Sequence, residues 1–116
     1  LWVDAESQLD AVTALSGSGP AYVFYFLEAM TQAGVGMGLS AAQAHQLAVA
    51  TFAGAAELAR RSDEPPAVLR ERVTSKGGTT YAALQSMAKD GVGEAFVRAM
   101  QAAEQRAQAL GHEFGA

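Results

Sequence analysis

No cysteine occurs in the 116 residues, which excludes disulfides, thiolate nucleophiles and cysteine-ligated metal sites together. That composition suits a reducing cytoplasm. Clustered positive charge is missing too: Lys and Arg number 8 against 12 Asp and Glu, for a net charge of -4. Nucleic acid is therefore not expected as a partner, because phosphate binding wants a basic patch. Nor is there a long apolar run. The most apolar stretch, 21–27, ends at Glu28, far short of the ~20 residues a spanning helix needs. No secretory signal is visible, since Leu1-Trp2-Val3 meets Asp4 and Glu6 at once. That apolar start, without a methionine, reads as a trimmed or proteolysed piece of a longer chain. His45 and His112 lack ligand-like spacing, so no metal site is expected, and no serine lies in a nucleophile-elbow context.

What remains is a chain that is 50% apolar and 17% charged, enough for one ordered domain over 1–116. Its apolar periodicity is helical, with no sustained strand alternation, so the expected class is all-α with about six helices. The pattern predicts a helix over 6–15, closed by a glycine-rich stretch. A second over 20–34 has Pro20 in its first turn, where the missing N–H costs nothing, and Gly34, Gly36 and Gly38 follow as a loose connection. Ser40 with Gln43 forms a capping box for a third helix over 41–61. A fourth covers 66–73, with Asp63 and Glu64 read as its caps. A fifth follows Gly78 and ends near Asp90-Gly91. The sixth puts Phe96, Ala99, Ala103, Ala107 and Leu110 on one face, spaces Glu94 and Arg98 for an ion pair, and ends at Gly111.

Charge is unevenly placed. Between residues 11 and 56 the only charged side chain is Glu28. The second helix, with Tyr22, Val23, Phe24, Tyr25, Phe26 and Leu27, is apolar almost all round, and the third is rich in alanine. So small a domain cannot easily bury both on every side. Burial against a second copy or another domain is the favoured outlet; the other is one central helix buried within a monomer.

Two segments invite a chemical reading. In Val73-Thr74-Ser75-Lys76-Gly77-Gly78-Thr79-Thr80, paired glycines let the backbone turn and a helix starts at once. Amides and the positive helix end make a pocket for a carboxylate or phosphate, to which Ser75, Thr79 and Thr80 can add hydroxyls. The competing reading is an ordinary cap, with a threonine satisfying the first turn. Ser16-Gly17-Ser18-Gly19-Pro20 also enters a helix. Tyr22 stands where a dinucleotide fingerprint needs its third glycine, and no strand-crossover unit surrounds it. Ser16, Gly17, Ser18 and Gly19 are left as candidates for lining a cavity or for close helix packing, with packing favoured.

Through Asp10-Ala11-Val12-Thr13-Ala14-Leu15-Ser16-Gly17-Ser18-Gly19-Pro20-Ala21-Tyr22, the segment 73–80 and the helices between and after them, nearly the whole chain resembles the C-terminal domain of the pyrroline-5-carboxylate reductase family. The resemblance implies the 6-phosphogluconate-dehydrogenase-like C-terminal fold, a helical dimerisation and substrate-binding domain whose N-terminal nucleotide-binding partner is absent here. It implies reduction of 1-pyrroline-5-carboxylate to L-proline with NADPH or NADH, the last step of proline biosynthesis, with the cofactor site outside this chain. Ser75, Gly77, Gly78, Thr79 and Thr80 would bind the substrate carboxylate, and Thr80 would be the catalytic hydroxyl nearest the imine nitrogen. Homodimers or larger homo-oligomers are implied, and an isolated chain of this length would be inactive. Lys76 departs from the proline expected there in many members; it loosens the loop and adds a positive charge beside the carboxylate. The alternative is a non-catalytic helical oligomerisation module with an anion-binding loop.

Overall fold

The computed structural model describes residues 5–114; the apolar start Leu1-Trp2-Val3 lies outside them. Among the described residues every regular element is helical: α1 (Glu6–Val12), a π-helical turn (Thr13–Gly17), α2 (Gly19–Gly36), α3 (Ala41–Arg61), α4 (Pro66–Arg72), α5 (Thr79–Lys89) and α6 (Val92–Phe114). The all-α expectation holds. The described residues form two compact units, one of residues up to Val23 together with those from Met87 onward, the other of Phe24–Ser86.

In the first unit the helix expected over 6–15 is shorter, because the chain widens into the π-helical turn after Val12. Ser18 N donates to Thr13 O at 2.8 Å, five residues back. Side chains tie up carbonyls around the turn: Thr13 Oγ1 donates to Leu9 O (3.0 Å) and Ser16 Oγ to Val12 O (3.0 Å). Tyr22, one turn into α2, reaches back to donate its hydroxyl to Ala14 O at 2.6 Å. Its ring meets Phe96 of α6 edge-on, with centroids 5.5 Å apart, a favoured aromatic arrangement. Ala14 is buried beneath this arrangement, and α6 packs on both the turn and α1. Of the apolar face expected on α6, Phe96, Ala103 and Ala107 are half-buried whereas Ala99 and Leu110 stay exposed.

The second unit turns on the α2–α3 connection. Far from loose, it is a Schellman cap: Leu39 N donates to Gly34 O and Gly38 N to Val35 O, both at 3.0 Å, with Gly38 at φ 104°. Gly34 itself lies inside α2, where a built Cβ would stand 2.7 Å from Ala44 Cβ. The missing side chain lets the two helices touch, which buries Ala44 and, one turn on, Ala48. α3 begins as expected: Ser40 Oγ accepts from Gln43 N (3.1 Å) and Gln43 Oε1 from Ser40 N (3.0 Å).

Three expectations fail. Asp63 and Glu64 do not cap α4. Its N-cap residue is Pro65, with no side-chain bond, and Glu64 Oε1 instead accepts from Arg72 Nη2 at 3.2 Å. Gly111 does not end α6, which continues to Phe114, because that glycine takes no left-handed turn. Glu94 and Arg98 form no ion pair; on α6 the pair is Arg106 with Glu113, at 3.7 Å. Exposed pairs are worth so little that spacing does not force them.

The hydrophobic core is thin. The buried apolar side chains among the described residues are Ala14, Ala44 and Ala48, and no larger one is fully buried. Phe24 and Tyr25 of α2 are 65% and 69% exposed. So α2 is not the buried centre of a monomer. Fully covering a side chain of that size gains about 1.5–3 kcal/mol, a gain that the chain by itself leaves unclaimed.

Candidate functional site

The segment 73–80 lies in the second unit, between α4 and α5. α4 ends at Arg72; Val73 N then donates to Arg70 O (3.2 Å) and Thr74 N to Glu71 O (3.1 Å). Thr74 is spent locally, its Oγ1 donating to Arg70 O at 2.6 Å. The chain reverses through Ser75-Lys76-Gly77-Gly78, closed by Gly78 N to Ser75 O at 3.0 Å. Gly77 has φ 81°, a left-handed conformation costing roughly 1–2 kcal/mol for a residue with a Cβ. Gly78 is needed for space, since a built Cβ would stand 2.7 Å from Ser75 Oγ and 3.3 Å from Ser75 O.

α5 begins at Thr79. Ala82 N, donating to Gly78 O at 3.1 Å, is the first of its amides bound to a carbonyl four residues back. The amides of Thr79, Thr80 and Tyr81 precede it, and a helix's first turn leaves such groups without intrahelical acceptors. They carry the positive end of the helix dipole.

The hydroxyls bear on the cap reading of this loop, in which a threonine oxygen would accept a first-turn amide. Of the six threonines, Thr13, Thr31, Thr51 and Thr74 each donate to the carbonyl four residues back. Thr79 and Thr80 make no such bond, for their fourth-previous carbonyls, of Ser75 and Lys76, lie in the turn rather than in a helix. Neither side chain caps α5. Thr79 and Thr80 are exposed, so two hydroxyls and the first-turn amides stand at one helix end without a partner among the described residues. Lys76 is exposed and outside the ion pairs of the described residues, which involve Arg60, Arg61, Arg72 and Arg106.

The second motif is built differently. Ser16 and Gly17 belong to the π-helical turn, and Gly19 opens α2. A built Cβ on Gly19 meets nothing within 4 Å, and one on Gly17 only the Thr13 side chain, at 3.6 Å from Cγ2 and 4.0 Å from Cβ. Packing inside the chain therefore does not require these glycines, and Ser18 and Gly19 are half-exposed. Tyr22 figures in the sequence as an apolar helix residue and as a missing glycine, but not as a hydrogen-bond donor; a hydroxylated aromatic in the first turn after Pro20 was the available signal. Gly17 and Gly19 join a π-helical turn to α2 rather than a strand to a helix, so they do not form a Rossmann-type dinucleotide loop.

An apolar groove runs between α3 and α4, lined by Ala55, Leu58, Leu69 and Val73 together with Arg61, Arg70 and Arg72. Leu58 and Val73 are 67% and 69% exposed there. Glu57 nearby receives hydrogen bonds from Arg60 (2.6 and 3.0 Å) and Arg61 (2.7 Å); these hold its carboxyl below the usual carboxylate range. Among the described residues no cluster of acidic or imidazole groups could hold a metal, and no helix is long and apolar enough to cross a membrane.

Known proteins resemble this chain throughout. The pyrroline-5-carboxylate reductase of Pseudomonas aeruginosa is 49% identical over 115 residues, 99% of this chain and 42% of that protein. That of Corynebacterium melassecola is 49% identical over 92% of this chain and 40% of its own length. Thus the chain spans about two fifths of the curated relatives it matches. Among solved structures, a pyrroline-5-carboxylate reductase from Coxiella burnetii superposes with a TM-score of 0.91 at 40% identity, covering 95% of this chain and 41% of that one. The Plasmodium falciparum pyrroline carboxylate reductase, solved with NADP bound, gives 0.89 at 36% identity over 93% and 41%. A family profile described as pyrroline-5-carboxylate reductase dimerisation matches residues 6–110, and the chain belongs to that family.

Proposed function

We propose that the chain is the dimer-forming, substrate-holding part of an enzyme that reduces 1-pyrroline-5-carboxylate to L-proline with NADPH or NADH. The observation that carries this reading is the pair of uncommitted hydroxyls, Thr79 and Thr80, at the open end of α5. The substrate is a small ring with a carboxylate beside an imine. The first-turn amides and the Ser75 and Thr79 hydroxyls hold the carboxylate, which fixes the presentation of the ring. Thr80 donates a hydrogen bond to the imine nitrogen, drawing electron density from the carbon that accepts hydride. Addition converts C=N to CH–NH, and the nitrogen gains a proton. The nicotinamide site belongs, on this reading, to another part of the enzyme.

Pairing is the other half of the function. Large apolar side chains of the described residues stand exposed, and a second copy covers Phe24, Tyr25, Leu58 and Val73. The two units then act as one domain over 1–116, with Ser16, Gly17, Ser18 and Gly19 lining a cavity in the assembly. The cysteine-free composition suits work in the cytoplasm.

The test is Thr80→Ala in the full-length protein. Turnover of pyrroline-5-carboxylate should fall about ten- to a hundredfold with the oligomer unchanged by sedimentation. Unchanged turnover removes Thr80 from the reaction and leaves an oligomerisation module as the better description.

A further inference from the structure

The groove between α3 and α4, in the second unit, has an apolar floor on which Leu58 and Val73 are 67% and 69% exposed. Its rim is cationic. Arg61 and Arg72 on that rim already have partners, Glu57 at 2.7 Å and Glu64 at 3.2 Å. Arg70 is exposed and belongs to none of the ion pairs of the described residues. Such a groove suits a short apolar element that brings one negative charge.

The first unit carries an element of that kind. α1 is 7 residues long, as is α4, so each measures about 10 Å. One side of α1 packs on α6 and on the π-helical turn, yet Leu9 is 53% exposed. Beside it, Asp10 is half-buried and outside every ion pair of the described residues. Charge is sorted to match: residues 1–27 contain Asp4, Glu6 and Asp10 but no Lys or Arg, whereas the groove offers three arginines. The area says what kind of partner brings the two together. The chain exposes 9105 Å², against about 6,000 Å² for a folded monomer of its length. Covering a difference of about 3,000 Å² takes an obligate subunit interface, far more than a peptide or a small ligand hides. A second copy is therefore the occupant.

We propose, resting on the reading of this domain as dimer-forming, that α1 of one copy docks in the α3–α4 groove of the other. Leu9 lies against Leu58, Leu69 and Val73 of the other copy, and Asp10 faces its Arg70. In a two-fold dimer the contact occurs twice, once in each direction. The apolar part supplies affinity, and the charge pair fixes which helix enters the groove.

The experiment uses two charge reversals in the full-length protein, Asp10→Arg and Arg70→Asp, with tags of different mass. In either variant's own dimer, like charges meet at both contacts. When the two are mixed, a heterodimer opposes Arg to Asp at one contact and keeps the native pair at the other. A like-charge contact is about fivefold weaker than an opposite-charge one. Native mass spectrometry after subunit exchange at ~10 mM salt should therefore find about 90% or more heterodimer, where differently tagged wild-type copies give half. At ~0.5 M salt the excess should shrink toward half. Docking of α1 within its own chain gains nothing from mixing, so a heterodimer fraction of half at low salt overturns the proposal. A wild type that sediments as a monomer overturns instead the dimer-forming reading, and the proposal with it. Neither position is buried, so the variants should fold; Asp10→Lys with Arg70→Glu repeats the test where one does not.

Discussion

The contact between Gly34 and Ala44 lends itself to a quantitative test. A Cβ on Gly34 would stand 2.7 Å from Ala44 Cβ, so Gly34→Ala must push α2 and α3 apart locally. Overpacking of this kind costs about 2 kcal/mol, while alanine for glycine in a helix returns about 1 kcal/mol, leaving a net loss of about 1 kcal/mol. Ala44→Gly alone loses helix propensity and one buried methyl, about 2 kcal/mol together. In the double variant the methyl has merely changed helices, the two propensity changes cancel and the overlap is gone, so the loss should be about 0 kcal/mol rather than the additive 3 kcal/mol. The expected coupling is therefore about 3 kcal/mol. Urea unfolding of the four proteins at one fixed protein concentration measures it, since an assembling protein's midpoint moves with concentration. Additivity within about 0.5 kcal/mol would refute the close approach of these helices.

Two other expectations concern single groups. Tyr22→Phe keeps the edge-on contact with Phe96 but strips the hydroxyl from Ala14 O; leaving that carbonyl unpaired should cost about 1–2 kcal/mol by urea midpoint, and an unchanged midpoint would show the π-helical turn stands without it. Glu57, held below the usual carboxylate range by Arg60 and then Arg61, binds fewer protons folded than unfolded. Its contribution to stability is thus present above the unfolded value and lost as pH falls through the lowered folded one. Wild type should melt above Glu57→Gln at pH 7 in low salt and converge with it in acid; a gap that persists in acid contradicts the assignment.

The helices that close on local signals were legible in the sequence. Ser40 and Gln43 fixed the start of α3 because a capping box uses only residues within one turn, and Arg61 ended it where expected. The π-helical turn was not legible, since it depends on Tyr22 bonding eight residues back and on Phe96 arriving from the far end of the chain. Gly34 and Gly111 were misread for related reasons. A glycine can end a helix, take a left-handed cap or admit a neighbouring helix, and only the partner, Ala44 in one case and none in the other, decides. At the candidate site the residue types allowed an anion pocket or a cap, with the cap the commoner use of such threonines. What tells against the cap is that neither threonine oxygen accepts a first-turn amide among the described residues, a property of where α5 starts rather than of composition. Glu64 shows the same limit, since its partner Arg72 sits across α4.

Amide hydrogen exchange of the full-length protein, with and without L-proline, bears most directly on the claim that this helical domain holds a carboxylate at the start of α5. Protection should appear at Gly77, Gly78, Thr79, Thr80 and Tyr81 and be lost in Gly78→Ala, with the amides of α3 unchanged. Exchange at these five amides that proline leaves untouched, with protection elsewhere in the protein, would contradict it.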